Sequence, residues 1–425
     1  MQHSAAVALD TGDTAFVLLC AALVLLMTPG LAVFYAGMVR AKGTLAMLML
    51  VMTCLGVVSV TWLLLGYSLA FGGDLGGGLL GDLRFAGGLG WSEDVPGLSL
   101  TVPPVLFATF QMLFAILTVA LIAGAVADRA RFGAFIAFAT VWSLLVYAPL
   151  AHWVFSQEGW LARFGVLDFA GGLVVEANCG AAGLAVALVA GHRLGWPREA
   201  MPPHNLPLTV LGAGLLWFGW FGFNAGSALA ANGLAAQALL DTQLAAAGGL
   251  IAWAGIERLR SGAATSLGAV SGAVAGLVAI TPACGFVEGG PALLLGLVAG
   301  GSAFYAVQLK HRLSYDDALD VVGVHYVGGA VGTLFIGLLA SSSVNDAVTS
   351  EGLLLGGGLT QLGRQAVGLL ATTAFSFTVS WLIAKGVGVV LPWRITEDEE
   401  RLGLDQALHA EQAYDFGAVR TLGRR

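Results

Sequence analysis

The chain has 425 residues, 57% of them hydrophobic and only 11% charged, with a mean hydropathy of +0.84. A soluble domain carries about 25% charged residues, and 19 basic with 26 acidic side chains cannot cover a soluble protein of this length. An ordinary cytosolic enzyme and a disordered chain are therefore excluded, and a net charge of −7 with scattered basic residues leaves no case for a nucleic-acid partner.

The remaining class is an all-α integral membrane protein, whose 61 glycines point to closely packed helices. A spanning helix needs about 20 apolar residues, and eleven stretches qualify in chain order. They are 14–39, 44–71, 102–127, 133–155, 168–191, 206–230, 241–256, 262–281, 289–309, 320–340 and 360–390. Segments seven and eight are short, rich in Ala and Gly, and barely separated. Arg40, Lys42, Arg129, Arg131, Arg193, Arg198, Arg258, Arg260, Lys310 and Arg312 fall in alternate loops, and the other loops hold only Arg84 and Arg163, with Arg364 entering the last segment. The positive-inside rule makes the first set cytoplasmic. The N-terminus is then outside and the C-terminus inside, with Arg394, Arg401, Arg420, Arg424 and Arg425 in the tail. Asp10 and Asp13 precede the first run and Arg40 follows it, the reverse of a cleaved signal peptide. Cys20, Cys54, Cys179 and Cys284 all sit in apolar stretches and read as buried small hydrophobes.

A faint repeat joins the halves. Gly30–Gly37 and Gly219–Gly226 both read G-x-x-x-F-x-A-G, and segments five and ten carry Glu176 and His325, each followed by spaced glycines. Five helices per half is an odd number, so the halves are inverted, and such halves place a pathway at their interface near the midplane. The transmembrane domain is expected over 1–390 (halves 14–191 and 206–340, last helix 360–390), with a cytoplasmic tail over 391–425.

Ionisable residues inside spans are costly and face cavities or partners. Asp168 and Asp320 open their segments and read first as helix caps, and Lys385 snorkels from the last span. Glu176 and His325 lie deep at matching positions, placed to share or relay a proton, and histidine is the group poised to change charge near neutral pH. Phe110 and Phe114 stand four residues apart on one helix face, and Phe223 and Ser227 repeat that spacing beside Trp217 and Trp220. Aromatic faces attract small cations. Together these residues describe a cation site at a mouth, a ring gate, and an apolar pore holding one titratable pair. Such a pore opposes dehydrated metal ions and favours a small species that can shed a proton.

The stretches Pro29–Gly37, Asp168–Gly172, Pro203–Pro207, Gly219–Ser227, Thr281–Gly285 and Gly323–His325, in this order, resemble the ammonium transporter (Amt/Mep/Rh) family, and its bacterial Amt branch above all. The likeness runs from about residue 13 to near Phe416. It implies a homotrimer in the plasma membrane with one pore per subunit, eleven helices in two inverted five-helix halves plus a last one, and transport of ammonium or ammonia. In the family's outer site Phe114 and Ser227 match the gate phenylalanine and the serine, Phe223 matches the second gate ring, and Phe110 lies one turn from the gate. Asp168 matches the structural aspartate and His325 the second pore histidine, with Trp220 and Asp320 as structural neighbours of the pore. Two positions depart from the pattern. Glu176 replaces the first pore histidine, as in one class of fungal members, and Phe155 stands where the vestibule tryptophan is expected, with Trp153 and Trp160 as local alternatives. Gly403–Asp405 and His409–Glu411 resemble the family's tail, which packs under neighbouring subunits, although a charge run also reads as a solvated face. A PII-type signal protein on the cytoplasmic side is the family's regulator.

No nucleophile–base set is apparent, because Ser227 lacks a matched histidine in its motif, and neither a cofactor nor a metal ligand set is expected. The functional reading is transport, with an ammonium sensor signalling through the tail and a passive ammonia gas channel as alternatives.

Overall fold

The structure is a computed structural model that describes residues 8–415, so Phe416, Arg420, Arg424 and Arg425 lie outside the described residues. Among the described residues the elements are helices, with no β-strand. Lipid offers no partners to backbone polar groups, and a helix satisfies them internally.

Eleven apolar helices follow one another. They are α1 (Thr11–Met38), α2 (Ala41–Phe71), α3 (Pro104–Val126), α4 (133–155 by expectation, Phe132–Trp142 continuing to Phe155 here), α5 (Gly172–Ala190), α6 (Leu206–Gly226), α7 (Gly233–Ser261), α8 (Ser266–Ile280), α9 (Gly289–Leu313), α10 (Val322–Leu339) and α11 (Thr360–Val390). Ten of them are long and apolar enough to cross a bilayer. The 15-residue α8 is the short one. At 1.5 Å per residue it covers about 22 Å, less than a hydrocarbon core of about 30 Å. The chain continues through the buried turns of Thr281–Phe286, and irregular backbone is tolerated at that depth only where protein surrounds it.

Segment seven was expected over 241–256, but α7 has 29 residues. Its first turns carry Gln237, Asp241 and Gln243, which hide the helix from a hydropathy reading. Local chemistry sets its ends. Asn232 caps it by accepting from the Ala235 N–H at 3.0 Å, and Gly262 closes it at φ +80°.

The repeated glycine motifs bind the halves together. Along an antiparallel crossing, Gly37 of α1 lies against Thr209, Gly30 against Leu215, Gly219 of α6 against Met27, and Gly226 against Cys20. Each motif presents its first and last glycine to the other helix, so neither could take a side chain without parting them. All four cysteines are buried and free, as expected.

The basic residues collect where the tail lies. Arg193 donates to both oxygens of Asp316, at 2.7 Å from Nη2 and 3.0 Å from Nε. Burial opposes ionisation of that carboxyl, yet the Arg193 hydrogen bonds and charge outweigh it and hold its pKa below the ordinary value. The fully buried Arg129 donates to the carbonyls of Asp316 and Ala125, at 2.5 and 3.0 Å. Lys385 lies over the Trp381 ring at 5.5 Å.

The tail is not a freely solvated charge run. After α11 come α12 (Glu397–Leu402) and α13 (Leu404–His409). The buried Glu400 accepts from Arg40 at 3.3 Å, Arg394 at 3.0 Å and the Leu194 N–H at 2.7 Å. Asp405 accepts from the Ala46 N–H at 2.8 Å and so caps the start of α2 from far along the chain. Gly403, at φ +106°, passes against Lys42 where a Cβ would collide. Replacing Asp405 by Ala should cost about 0.5–2 kcal/mol of tail docking, the range for a lost N-cap. Limited proteolysis of the solubilised protein should then cut near residue 403 faster than in wild type, and an unchanged cleavage rate would contradict this role.

Candidate functional site

Two helix starts carry the titratable residues. Both α5 and α10 open with a wide π turn, Gly172–Ala177 and Val322–Tyr326, a local widening that recurs at functional sites. Glu176 sits in the first and His325 in the second.

Each turn is held by an aspartate eight residues before its ionisable group. Asp168 Oδ1 accepts from the N–H groups of Gly171 and Gly172 at 2.8 and 2.7 Å, and Oδ2 from those of Leu173 and Val174 at 2.8 and 3.3 Å. In the other half Asp317, not Asp320, takes this place, accepting from the Val322 N–H at 2.7 Å. The expected cap at Asp320 is thus corrected: its side chain instead pairs with Lys310 Nζ at 2.6 Å, and its backbone stands at φ +63°. Asp320 lines the same cavity as His325.

The two turns meet closely. His325 Nδ1 and Glu176 Oε2 are 2.7 Å apart, with Glu176 fully buried and His325 at 5% exposure. Gly180, four residues after Glu176, faces the backbone of Tyr326; Gly329, four after His325, faces Glu176 Cβ, where an added Cβ would stand at 2.9 Å. The relation is reciprocal, as the repeat implies. The walls are apolar, with Leu173, Val174 and Val278 buried around the turns.

Toward the end of the molecule away from the tail, three rings pack together. Phe110 and Phe114 meet edge-on with centroids 4.9 Å apart, and Phe114 stacks on Phe223 at 4.0 Å and 23°. All three are buried. Gly226 admits the Phe110 ring, which lies 3.0 Å from where its Cβ would be. Trp220 packs on Phe223 at 5.8 Å, and its indole N–H donates to Thr281 Oγ1 at 2.8 Å. Ser227 follows at the helix end, its hydroxyl donating to the Phe223 carbonyl at 2.8 Å.

The vestibule alternatives separate by their neighbours. Trp153 donates to the Leu79 carbonyl at 2.8 Å and packs between Trp160 and Phe375, so both tryptophans are engaged with each other. Phe155 instead ends against Gly171, beside the Asp168 loop.

Below the pair lies a cavity of about 200 Å³ lined by Tyr35, Trp253, Ser271, Asp320 and His325. It shares Met38, Leu267, Leu319 and Asp320 with a second cavity of about 440 Å³ that reaches Arg193 and Lys310 on the tail side. The sequence reading missed Asp317. The eight-residue offset from Asp168 to Glu176, carried into the other half, points to it.

Residues 15–414 match the model of the Ammonium Transporter Family. The chain belongs to this family. It is 48% identical over 407 residues to the ammonium transporter of Bacillus subtilis, covering 96% of this chain and 99% of that protein. The ammonium transporter of Mycobacterium tuberculosis strain H37Rv is also 48% identical, over 96% of this chain and 91% of its own. Among solved structures, Mep2 of Saccharomyces cerevisiae has a TM-score of 0.84 at 36% identity, over 92% of this chain and 88% of that one. A chain titled Sensor Amt Protein has a TM-score of 0.85 at 30% identity, over 93% of this chain and 98% of its own. This ammonium transporter family fold therefore carries a Glu–His pair together with a cluster of three packed rings.

The cap at Asp168 is open to test. Asp168→Ala leaves four N–H groups without their acceptor and should destabilise the solubilised protein by about 2 kcal/mol, the upper end for a lost cap. Thermal unfolding in detergent reads this directly, and an unchanged midpoint would show that the four bonds do not hold the α5 turn.

Proposed function

We propose that this chain carries ammonium across the plasma membrane by separating the cation from its proton. Ammonium is recruited at an outer mouth formed by Phe155, Asp168 and Ser227. The Phe110, Phe114 and Phe223 rings gate the entrance, ammonia passes along the apolar wall, and Glu176 with His325 relays the proton. Eleven crossings with the N-terminus outside and the tail in the cytoplasm complete the arrangement. So do three copies of the chain in the membrane lipid, with a PII-type signal protein as a regulator at the tail face.

The observation that carries the reading is the 2.7 Å contact between Glu176 and His325 in an otherwise apolar surround. Moving an intact cation into such a surround costs several kcal/mol even after relaxation, whereas ammonia is neutral. A carboxylate and an imidazole in contact supply an acceptor for the shed proton at the depth where the cation would be least stable. A metal cation has no proton to shed, so the same wall excludes it.

Currents from proteoliposomes after an ammonium jump test this. Wild type should give a current, and Glu176→Ala should lower it at least about tenfold, since a positioned proton acceptor contributes about a hundredfold or more. Ammonia flux without any current in wild type would establish gas conduction instead. Uptake measured against pH for Glu176→His should give a displaced profile; an unchanged profile would remove Glu176 from the proton route.

A sensor role is the second reading, favoured by the likeness to the chain titled Sensor Amt Protein and by the tail's bonds to Arg40 and Ala46. Truncation after residue 396 decides it. A sensor loses downstream signalling while uptake persists.

A further inference from the structure

Beside the titratable pair stands a third ligand-type side chain, which the transport reading does not use. Cys179 lies one turn along α5 from Glu176. A Glu176 carboxylate oxygen, a His325 ring nitrogen and Cys179 Sγ all lie within 4.8 Å of one another, and all three residues are buried. Among the described residues this is the one such cluster of His, Cys, Asp and Glu. The Cys179 thiol donates only weakly, back to the Glu176 carbonyl at 3.3 Å. Glu176 Oε1 is buried with no hydrogen-bond partner among the described residues, although Oε2 is taken by His325. An orphaned carboxylate oxygen in an apolar wall is costly, and here it stands beside a thiol and an imidazole.

We propose that Glu176, Cys179 and His325 form a binding site for a thiophilic divalent metal ion of the zinc and cadmium class, and that its occupation blocks the pathway. Zinc takes sulfur, imidazole nitrogen and carboxylate oxygen at about 2.0–2.3 Å in a tetrahedron. Ligand atoms of such a site stand about 3.3–3.8 Å apart, so the 2.7 Å contact of Glu176 with His325 must open slightly while Cys179 Sγ draws toward both. Sulfur and nitrogen with one carboxylate disfavour calcium and magnesium, which require several oxygen ligands. The metal accepts one lone pair from each ligand atom. The Sγ–H bond breaks and its proton leaves to solution, as does the proton held between Glu176 and His325, with no change of oxidation state. The cavity below His325 offers an approach from the tail side.

The binding stands apart from the transport reading, whereas the blockade rests on it. Cadmium ion alone, titrated into the detergent-solubilised protein, should bind once per chain with a thiolate-to-metal absorption band. Cys179→Ala and Cys179→Ser should both lose that band and bind at least about tenfold more weakly, the least expected from disturbing a metal ligand. Cys20, Cys54 and Cys284 remain as buried internal controls. Both variants should keep metal-free ammonium uptake. Cadmium should stop wild-type uptake, reversibly with chelator, and spare the variants. No band in wild type, or the same band in both variants, would overturn the site. A band with undiminished uptake would overturn the blockade and with it the route through the pair.

Discussion

The 2.7 Å approach of Glu176 to His325 is the constraint on which the rest of the molecule depends. Two ionisable groups in an apolar wall are tolerable only in contact with each other, so two helices from opposite halves must nearly touch at one depth. Gly180 and Gly329 make that possible, because each brings backbone against the other half's turn. The π turns widen the helices where the side chains must emerge. Asp168 and Asp317 then fix the turns by satisfying N–H groups that a helix start leaves free. Removing any one of these devices moves a charge relative to its partner, and a misplaced charge at that depth is worth more than the cap or the glycine itself.

Much of this was legible in the sequence, and the reasons are physical. The apolar runs mark helices because lipid permits few other backbone solutions, and their order carries the fold. Glu176 and His325 stood out because charge is scarce inside spans. The ring cluster was visible as a four-residue spacing, although spacing alone cannot show which helices the rings join; Phe114 stacks on Phe223 of a separate helix at 4.0 Å. The length of α7 was hidden by Gln237, Asp241 and Gln243, polar residues that find partners in the fold: Gln237 donates to Asp241 at 2.9 Å within the helix, and Gln243 accepts from Trp217 of α6 at 3.2 Å. The exchange of Asp317 for Asp320 was hidden for a different reason. Both precede the same helix, and only the eight-residue offset shared with Asp168 and Glu176 separates them before the loop's path is known.

The tail shows the same economy with charge on the molecule's other face. Glu400 and Asp405 are buried, yet each finds donors: guanidinium groups and a backbone N–H for the first, the start of α2 for the second. Arg193 and Asp316 tie the α5 end to the loop before α10. That loop also carries Asp317 and Asp320, so the segment that caps the His325 turn is anchored to the segment that follows the Glu176 helix. The tail-side ion pairs and the pore pair therefore share one mechanical frame. A partner that pulled Glu400 from Arg40 and Leu194 would act on the loop after α5, within reach of Arg193.

The carboxylate at position 176 gives the pair a different charge balance from two imidazoles. A neutral imidazole beside a carboxylate carries net charge −1, and one added proton makes the pair neutral whichever side chain holds it. A pair of imidazoles runs instead from 0 to +1. In an apolar surround the ionic cost falls on the charged state, so the Glu–His pair is strained while empty and relieved by accepting a proton. In the proposed route an arriving ammonium brings that proton, and its transfer would remove two charges at once, the cation's and the pair's. The unpartnered Glu176 Oε1 marks where the excess negative charge is least compensated. The same uncompensated oxygen stands beside a thiol, so the proposed proton capture and the proposed metal binding draw on one feature of the wall.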